Sequence, residues 1–207
     1  MPAAEAVVFD IGNVLVEWHP ERFYDSVMPA ERRARLFAEV DLHAMNEAID
    51  AGAPFRDTVD DWAARHAPWA QDIRRWYRNW ADIAAPAIAP SARLLAALKR
   101  RGVTVAALSN IGAEPFALAC RHYPFLSLFD RAFLSGPLGV TKPHPRIYEI
   151  VETETGIAPA RLLFADDRAE NIAAAAARGW QVHHFTGPGG LAERLVLDGL
   201  LSKEDIA

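Results

Sequence analysis

The sequence predicts an α/β fold, a doubly wound parallel sheet with a small α-helical insertion after its first strand. Three observations carry that prediction. Short apolar runs recur, and several end abruptly in polar or acidic residues: 7–9 before Asp10, 103–108 before Ser109 and 162–165 before Asp166. From Ser91 onward such runs alternate with helical stretches of 10–15 residues, the pattern of successive βαβ units. Between residue 17 and about residue 88 the strand pattern disappears and helical periodicity takes over.

The opening run Val7-Val8-Phe9 is β-branched and apolar on both faces, as a strand buried inside a parallel sheet requires. Helical patterns then cover 29–40, 57–67 and 71–81. Trp62, Trp69, Trp76 and Trp80 are spaced seven, seven and four apart, a stripe that suits one packed helix face. Residues 84–90, with two prolines, read as the linker back to the main body. A helix over 91–101 closes at Gly102, with Lys99, Arg100 and Arg101 complementing its dipole. Strand 103–108, helix 113–122 and a short apolar run at 132–134 follow. After a loop at 139–143 come helix 146–154, strand 162–165 and an alanine-rich helix 168–178 closed by Gly179. A last strand at 181–185 and a helix over 191–201 complete the chain. The division this implies is a core of 1–16 and 89–207 and a helical unit of 17–88.

Composition narrows the function classes. A chain of 207 residues, 51% hydrophobic and 24% charged, is long enough for a full core. The formal net charge of −5 argues against nonspecific nucleic-acid binding and polybasic membrane attachment. Cys120 is the single cysteine, which excludes an intramolecular disulfide and argues against a zinc site. The sequence opens with no basic-apolar-small signal segment and has no apolar run of bilayer length, so a cytoplasmic location is expected. Oligomeric state is not legible.

The strand ends hold the candidate chemistry. A carboxylate at the carboxyl edge of a parallel sheet lies where ligands bind in open α/β folds, and this is the expected position of Asp10. Gly12 leaves the backbone free to approach a ligand, with its carbonyl as a donor. The pair Asp166-Asp167 ends another strand; together with Asp10 it forms a set of hard oxygen donors suited to Mg²⁺. Helix capping needs only one of the two, and adjacent acids repel unless a cation neutralises them. Ser109 and Asn110 offer donors to phosphate oxygens, although plain turn chemistry uses the same residues. Lys142, held between Thr141 and Pro143, is one of three lysines in the chain and can neutralise a carboxylate and an incoming phosphate together.

Taken in order, Phe9-Asp10-Ile11-Gly12-Asn13-Val14, Leu108-Ser109-Asn110, Lys142-Pro143 and Phe164-Ala165-Asp166-Asp167 resemble the motifs of the haloacid dehalogenase-like (HAD) hydrolase superfamily. The resemblance spans nearly the whole chain, and residues 17–88 look like the family's inserted cap domain on a Rossmann-like core. The chain is most similar to the branch of small sugar-phosphate phosphatases that includes α-D-glucose-1-phosphatases. The resemblance implies Mg²⁺-dependent hydrolysis of a small phosphorylated metabolite, a sugar phosphate among the candidates, through an aspartyl-phosphate. Asp10 is then the nucleophile, with Ser109 and Lys142 catalytic and Asn110 binding substrate. Asp10, Gly12, Asp166 and Asp167 hold the metal.

One departure from the family pattern matters. Many of its phosphatases carry a general acid two positions after the nucleophile, where this chain has Gly12. Such a group contributes roughly 10²–10⁴-fold to rate. His19 is the nearest titratable residue that would stand in for it and contact substrate. Two alternatives follow: a metal-independent 2-haloacid dehalogenase, in which halide leaves without protonation, and a catalytically weak phospho-ligand-binding protein. The acidic pair weighs against the first, because the superfamily's dehalogenases lack it.

Overall fold

The computed structural model describes residues 3–206. Five strands form one parallel sheet: β1 (Ala6–Phe9), β2 (Thr104–Ser109), β3 (Arg131–Leu134), β4 (Leu162–Asp166) and β5 (Gln181–His184). Their spatial order is β3-β2-β1-β4-β5. The chain builds outward from β1 through β2 to β3, then returns to lay β4 against the other side of β1. Crevices at such a reversal are where open α/β sheets bind ligands.

Register fixes what reaches that edge. Phe9 pairs with Ala107 of β2 and with Ala165 of β4, so Asp10 emerges beside Asp166 and near Ser109. The Asp10 N–H donates to the Ala165 carbonyl at 2.9 Å and extends the ladder by one bond. Alternation along the strands sorts side chains onto two faces. Val7, Phe9, Val105, Ala107, Leu163 and Ala165 belong to one core cluster, and Ala6, Val8, Ala106, Leu108, Leu162 and Phe164 to the other. Both faces are covered by helices, which explains why the central strand β1 and residues 162–165 of β4 are apolar at every position. The first face packs against α7 (Ala89–Arg100) and α12 (Pro188–Leu197), the second against α10 (Pro145–Thr155) and α11 (Ala169–Ala177).

Residues 20–83 contribute six helices: α1 (Pro20–Val27), α2 (Ala30–Val40), α3 (Leu42–Asp50), α4 (Phe55–Arg65), α5 (Ala70–Arg78) and α6 (Trp80–Ile83). Three of these match the helical periods in the sequence. The expected 71–81 helix breaks at Asn79, separating α5 from α6. Helices α1 and α3 escape the periodic reading for local reasons. Proline opens α1, and α3 follows α2 after the single residue Asp41. Asp41 turns the chain with φ 50° and caps α3 by accepting the Ala44 N–H at 3.0 Å. Trp69, Trp76 and Trp80 are buried as the stripe predicts, and the half-buried Trp62 lies 3.9 Å beneath the Arg65 guanidinium.

The chain enters and leaves this helical segment side by side. Val16 and Ala87 form an antiparallel bridge, Glu17 N–H donates to the Pro86 carbonyl and Ile88 N–H to the Leu15 carbonyl. The expected linker is therefore partly ordered by β-pairing. Elsewhere among the described residues, α8 (Ala113–His122) has the expected bounds, and a single-turn α9 (Ser135–Leu138) follows β3.

A second contact ties the helices to the sheet, at the end of α3. The Ser135 hydroxyl accepts the Ile111 N–H at 2.9 Å and donates to the Asp50 carbonyl. Three glycines permit the approach. A Cβ on Gly52, at φ +112°, would stand 2.8 Å from the Gly136 carbonyl oxygen. One on Gly136 would stand 2.9 Å from Gly112 Cα, and one on Gly112 3.1 Å from Ile49 Cγ2. Gly52→Ala is accordingly expected to destabilise the protein by about 1–3 kcal/mol through clash and backbone strain. Urea denaturation measures this, with Gly139→Ala, which has φ +64° but open space around its Cβ, isolating the strain contribution.

Candidate active site

The floor of the site is a buried ion cluster. Lys142 Nζ stands 2.9 Å from Asp10 Oδ1 and 2.7 Å from Asp166 Oδ2, with all three side chains nearly inaccessible to solvent. Asp10 Oδ1 also accepts the Ser109 hydroxyl and the Ile11 N–H, each at 2.7 Å. Burial pushes the Asp10 carboxyl up and Asp166 adds to the shift, while the Lys142 ammonium and Ser109 pull it back. Lys142 is held above its ordinary value, because attraction from the two carboxylates outweighs its desolvation.

Neighbouring groups fix this cluster. Asp166 Oδ1 accepts the Arg168 N–H at 2.8 Å, and Asn171 Nδ2 lies 3.0 Å from both Asp166 oxygens. The Tyr148 hydroxyl in turn donates to the Asn171 carbonyl. Asn110, expected to bind substrate, lines the cavity, and its side-chain amide engages the Lys142 backbone: its Oδ1 accepts the Lys142 N–H at 2.8 Å and its Nδ2 donates to the Lys142 carbonyl at 3.0 Å. These two bonds lock the loop that delivers the lysine.

Asp167 differs from its neighbour. It is half-buried, lines the cavity and accepts the Asn13 Nδ2 at 3.2 Å; among the described residues no ammonium or guanidinium pairs with it. Burial raises its carboxyl, and Asn13 opposes that shift. Asn13 adopts the left-handed conformation at φ 54°, and its Oδ1 accepts the Trp18 N–H. One oxygen from each of Asp10, Asp166 and Asp167 lies within 4.8 Å of the others. Three carboxylates against one ammonium form an all-oxygen, electron-rich set that fits a hard divalent cation. Gly12 also lines the cavity, and a Cβ there would meet only Trp18 Cβ, at 3.8 Å. The missing acid is therefore not excluded sterically.

Above this floor is a cavity of about 600 Å³. One wall is apolar, formed by Trp18, Trp80, Ala84, Ile111, Pro115 and Ala119, and Trp18 meets Trp76 edge-on at 5.9 Å. The other carries His43, Asn46, Glu47 and Asp50 from α3. His19 must be corrected: it is exposed and does not line the cavity. At the N-cap of α1 the flanking Trp18 and Pro20 turn toward the cavity, which leaves His19 facing solvent. His43 is the histidine at the rim, 2.8 Å from Glu21.

Sequence reasoning missed Asn13, Asn171 and Asp50. Asn13 and Asn171 hide as ordinary polar residues in a turn and a helix, since only tertiary contact pairs them with the acids. Asp50 ends α3, where a carboxylate opposes the helix dipole, but α3 itself escaped the periodic reading, so nothing in the sequence marked it.

The geometry has parallels in known proteins. Residues 4–179 match the family of haloacid dehalogenase-like hydrolases. The sesquiterpene phosphatase astK of Aspergillus oryzae is 39% identical over 187 residues, covering 88% of this chain and 90% of that protein. A D-ribitol-5-phosphate phosphatase of Bacteroides thetaiotaomicron is 22% identical over 178 residues, covering 80% and 84%. The crystal structure of a mutant HAD family enzyme from the same bacterium, in complex with magnesium and inorganic phosphate, superposes with a TM-score of 0.73. It is 19% identical, with 89% of this chain and 95% of that one covered.

Removing the central cation should expose the cost of the cluster. Lys142→Met leaves Asp10 and Asp166 buried without a counter-charge, an expected loss of about 3–5 kcal/mol at pH 7 in metal-free buffer. Without the ammonium the Asp10 carboxyl rises further above its unfolded value. The stability it retains when protonated is lost as pH rises through that raised value. The deficit relative to wild type should therefore shrink on acidification to pH 5, as followed by urea denaturation at the two pH values.

Proposed function

As the chain belongs to the haloacid dehalogenase-like hydrolase family, we propose that it is a Mg²⁺-dependent phosphate monoester hydrolase whose substrate carries an apolar alcohol. The observation that carries this reading is the joining of the Asp10–Lys142–Asp166 cluster, with Asp167 beside it, to a cavity with a tryptophan-lined wall. The unit 17–88 acts as a cap over the core of 1–16 and 89–207, and the cavity is the space between them.

In this mechanism an oxygen of Asp10 attacks phosphorus in line, the ester bond breaks, and an aspartyl-phosphate forms. Water then attacks phosphorus and returns Asp10 to its carboxylate. Lys142 neutralises Asp10 in the resting protein and the transferring phosphoryl oxygens during reaction, while Ser109 orients Asp10 and donates to an incoming oxygen. Asn110 acts through Lys142 by fixing its backbone. Asp10, Asp167 and the Gly12 carbonyl would hold Mg²⁺, with Asp166 completing the acidic set. The ion, when bound, offsets charge on the phosphoryl group.

The alcohol assignment rests on the apolar wall. Trp18, Trp80, Ile111, Pro115 and Ala119 offer few partners for a sugar's hydroxyls, and burying apolar surface supplies about 25 cal/mol per Å². The terpenoid phosphatase at 39% identity supports the same choice. Dehalogenation is disfavoured by the acidic group of Asp10, Asp166 and Asp167.

Phosphate release with Mg²⁺ is the decisive assay. An isoprenyl or long alkyl phosphate should be hydrolysed with kcat/KM at least about tenfold above a sugar 6-phosphate, a difference of about 1.4 kcal/mol. Trp80→Ala should narrow that ratio. Asp10→Asn should abolish turnover without loss of fold, and a chelator should stop the wild-type enzyme. Equal rates on both substrate classes, unaffected by Trp80→Ala, would refute the apolar assignment.

A further inference from the structure

A proton must reach the leaving oxygen of an alkyl ester, and Gly12 provides none. We propose that the Asp50 carboxyl, presented by the C-terminal end of α3, is the acid that protonates the leaving alcohol and the base that then activates water. The proposal rests on the phosphatase reading above and assigns its missing group.

Placement is the first argument. Asp50 lines the same cavity as Asp10, and the negative charge of Asp10 is felt at its carboxyl. It is the last residue of α3, and that end of the helix is fixed to the core. The Ser135 hydroxyl binds the Asp50 carbonyl, while Gly52, Gly112 and Gly136 bring backbone against backbone around it. Its carboxyl is oriented from two sides. Asn46 Nδ2 donates to Oδ2 at 2.8 Å, and the Gly112 N–H, at the start of α8, also donates to the carboxyl. Asn46 is itself oriented by Trp76 Nε1, 3.3 Å from its Oδ1. This carboxyl is therefore positioned rather than free to wander, as proton transfer requires.

Its protonation state is the second argument. Burial is the largest cause of a rise to about 8, and the negative charges of Asp10 and Glu47 add to it. The Gly112 and Asn46 hydrogen bonds oppose the rise without cancelling it. Other charged groups around the cavity are Lys142, Asp167 and Arg168 on the core side, Glu17 on the segment leading into α1, and the His43–Glu21 pair at the rim. At neutral pH Asp50 is thus a neutral acid facing an anionic nucleophile, a division of roles that environment imposes on two like side chains.

The steps balance. Asp10 attacks phosphorus, the ester P–O bond breaks, and the leaving oxygen takes the Asp50 proton to give alcohol, aspartyl-phosphate and the Asp50 carboxylate. That carboxylate removes a proton from water as the water oxygen attacks phosphorus. The Asp10 P–O bond then breaks, phosphate departs and Asp50 is again protonated.

The two half-reactions can be read separately with 4-nitrophenyl phosphate, which needs no acid to leave, and hexyl phosphate, which does. In Mg²⁺ buffer Asp50→Asn should lower hexyl phosphate turnover by at least about 100-fold. With 4-nitrophenyl phosphate the variant should keep a rapid, stoichiometric burst of nitrophenolate followed by slow turnover, because phosphorylation survives while water attack loses its base. The burst also certifies that fold and nucleophile are intact. In the wild-type enzyme, kcat/KM for hexyl phosphate should fall as pH rises through about 8, while the aryl burst rate stays level.

Hexyl phosphate turnover within about threefold of wild type in Asp50→Asn would overturn the proposal. So would loss of the aryl burst, which would make Asp50 a structural residue, or the same kinetic pattern appearing in Glu47→Gln and not in Asp50→Asn. A wild-type protein releasing phosphate from neither ester would refute the phosphatase reading itself, and this assignment with it.

Discussion

The Lys142 ammonium between Asp10 and Asp166 is the constraint around which the molecule is arranged. Charges this deeply buried are tolerated only when paired and fully hydrogen-bonded. Meeting that condition takes residues from stretches far apart in the chain. β1 and β4 bring the carboxylates together by register, and Asn110 after β2 clamps the lysine backbone from both sides. Asn171 of α11 binds both oxygens of Asp166 and is steadied by Tyr148 of α10. The aromatic core reaches the same point, since the Phe164 ring lies 5.5 Å from the ammonium.

That constraint separates two neighbouring acids. Asp166 is inaccessible, with its oxygens committed to Lys142, Asn171 and the Arg168 backbone. Asp167 faces the cavity and accepts the Asn13 side-chain amide. Their chemical identity hides opposite uses of the charge, one internal to the protein and one open to a ligand. The cavity repeats the contrast at larger scale, with an ionic floor below and tryptophans on one wall.

The end of α3 adds the second fixed point. Helices that cover a sheet edge are commonly joined to it only by the chain passing in and out, here the paired segments at Val16 and Ala87. In this protein Ser135 and three glycines add direct backbone contact between the helical segment and the loops following β2 and β3. Carboxyls from both parts of the chain are thereby held about one cavity, with the precision expected of rigid elements rather than of loops.

The sheet and its polar edge were legible in the sequence. Runs such as Val7-Val8-Phe9 and Leu162-Leu163-Phe164-Ala165 are apolar at every position, a pattern that strands buried on both faces require, and each ends where solvent and ligand begin. Four of the five strands follow, and Asp10, Ser109 and Asp166, at strand ends, meet the loop residue Lys142 through hydrogen bonds and ion pairs. Partnership across the fold was not legible. Asn110 has the composition of a phosphate ligand, yet its partner is a backbone 32 residues away. His19 is near Asp10 in sequence but faces solvent, because the turn into α1 directs Trp18 and Pro20 inward instead. Asp50, 40 positions from Asp10, was invisible as chemistry: its burial, and hence its proton, arise only when α3 is pressed against Gly112 and Gly136. Local pattern determines which residues stand at the ends of elements, since that depends on periodicity along one segment. Which of them face one another, and in which charge state, depends on desolvation and contacts that exist only after distant segments pack.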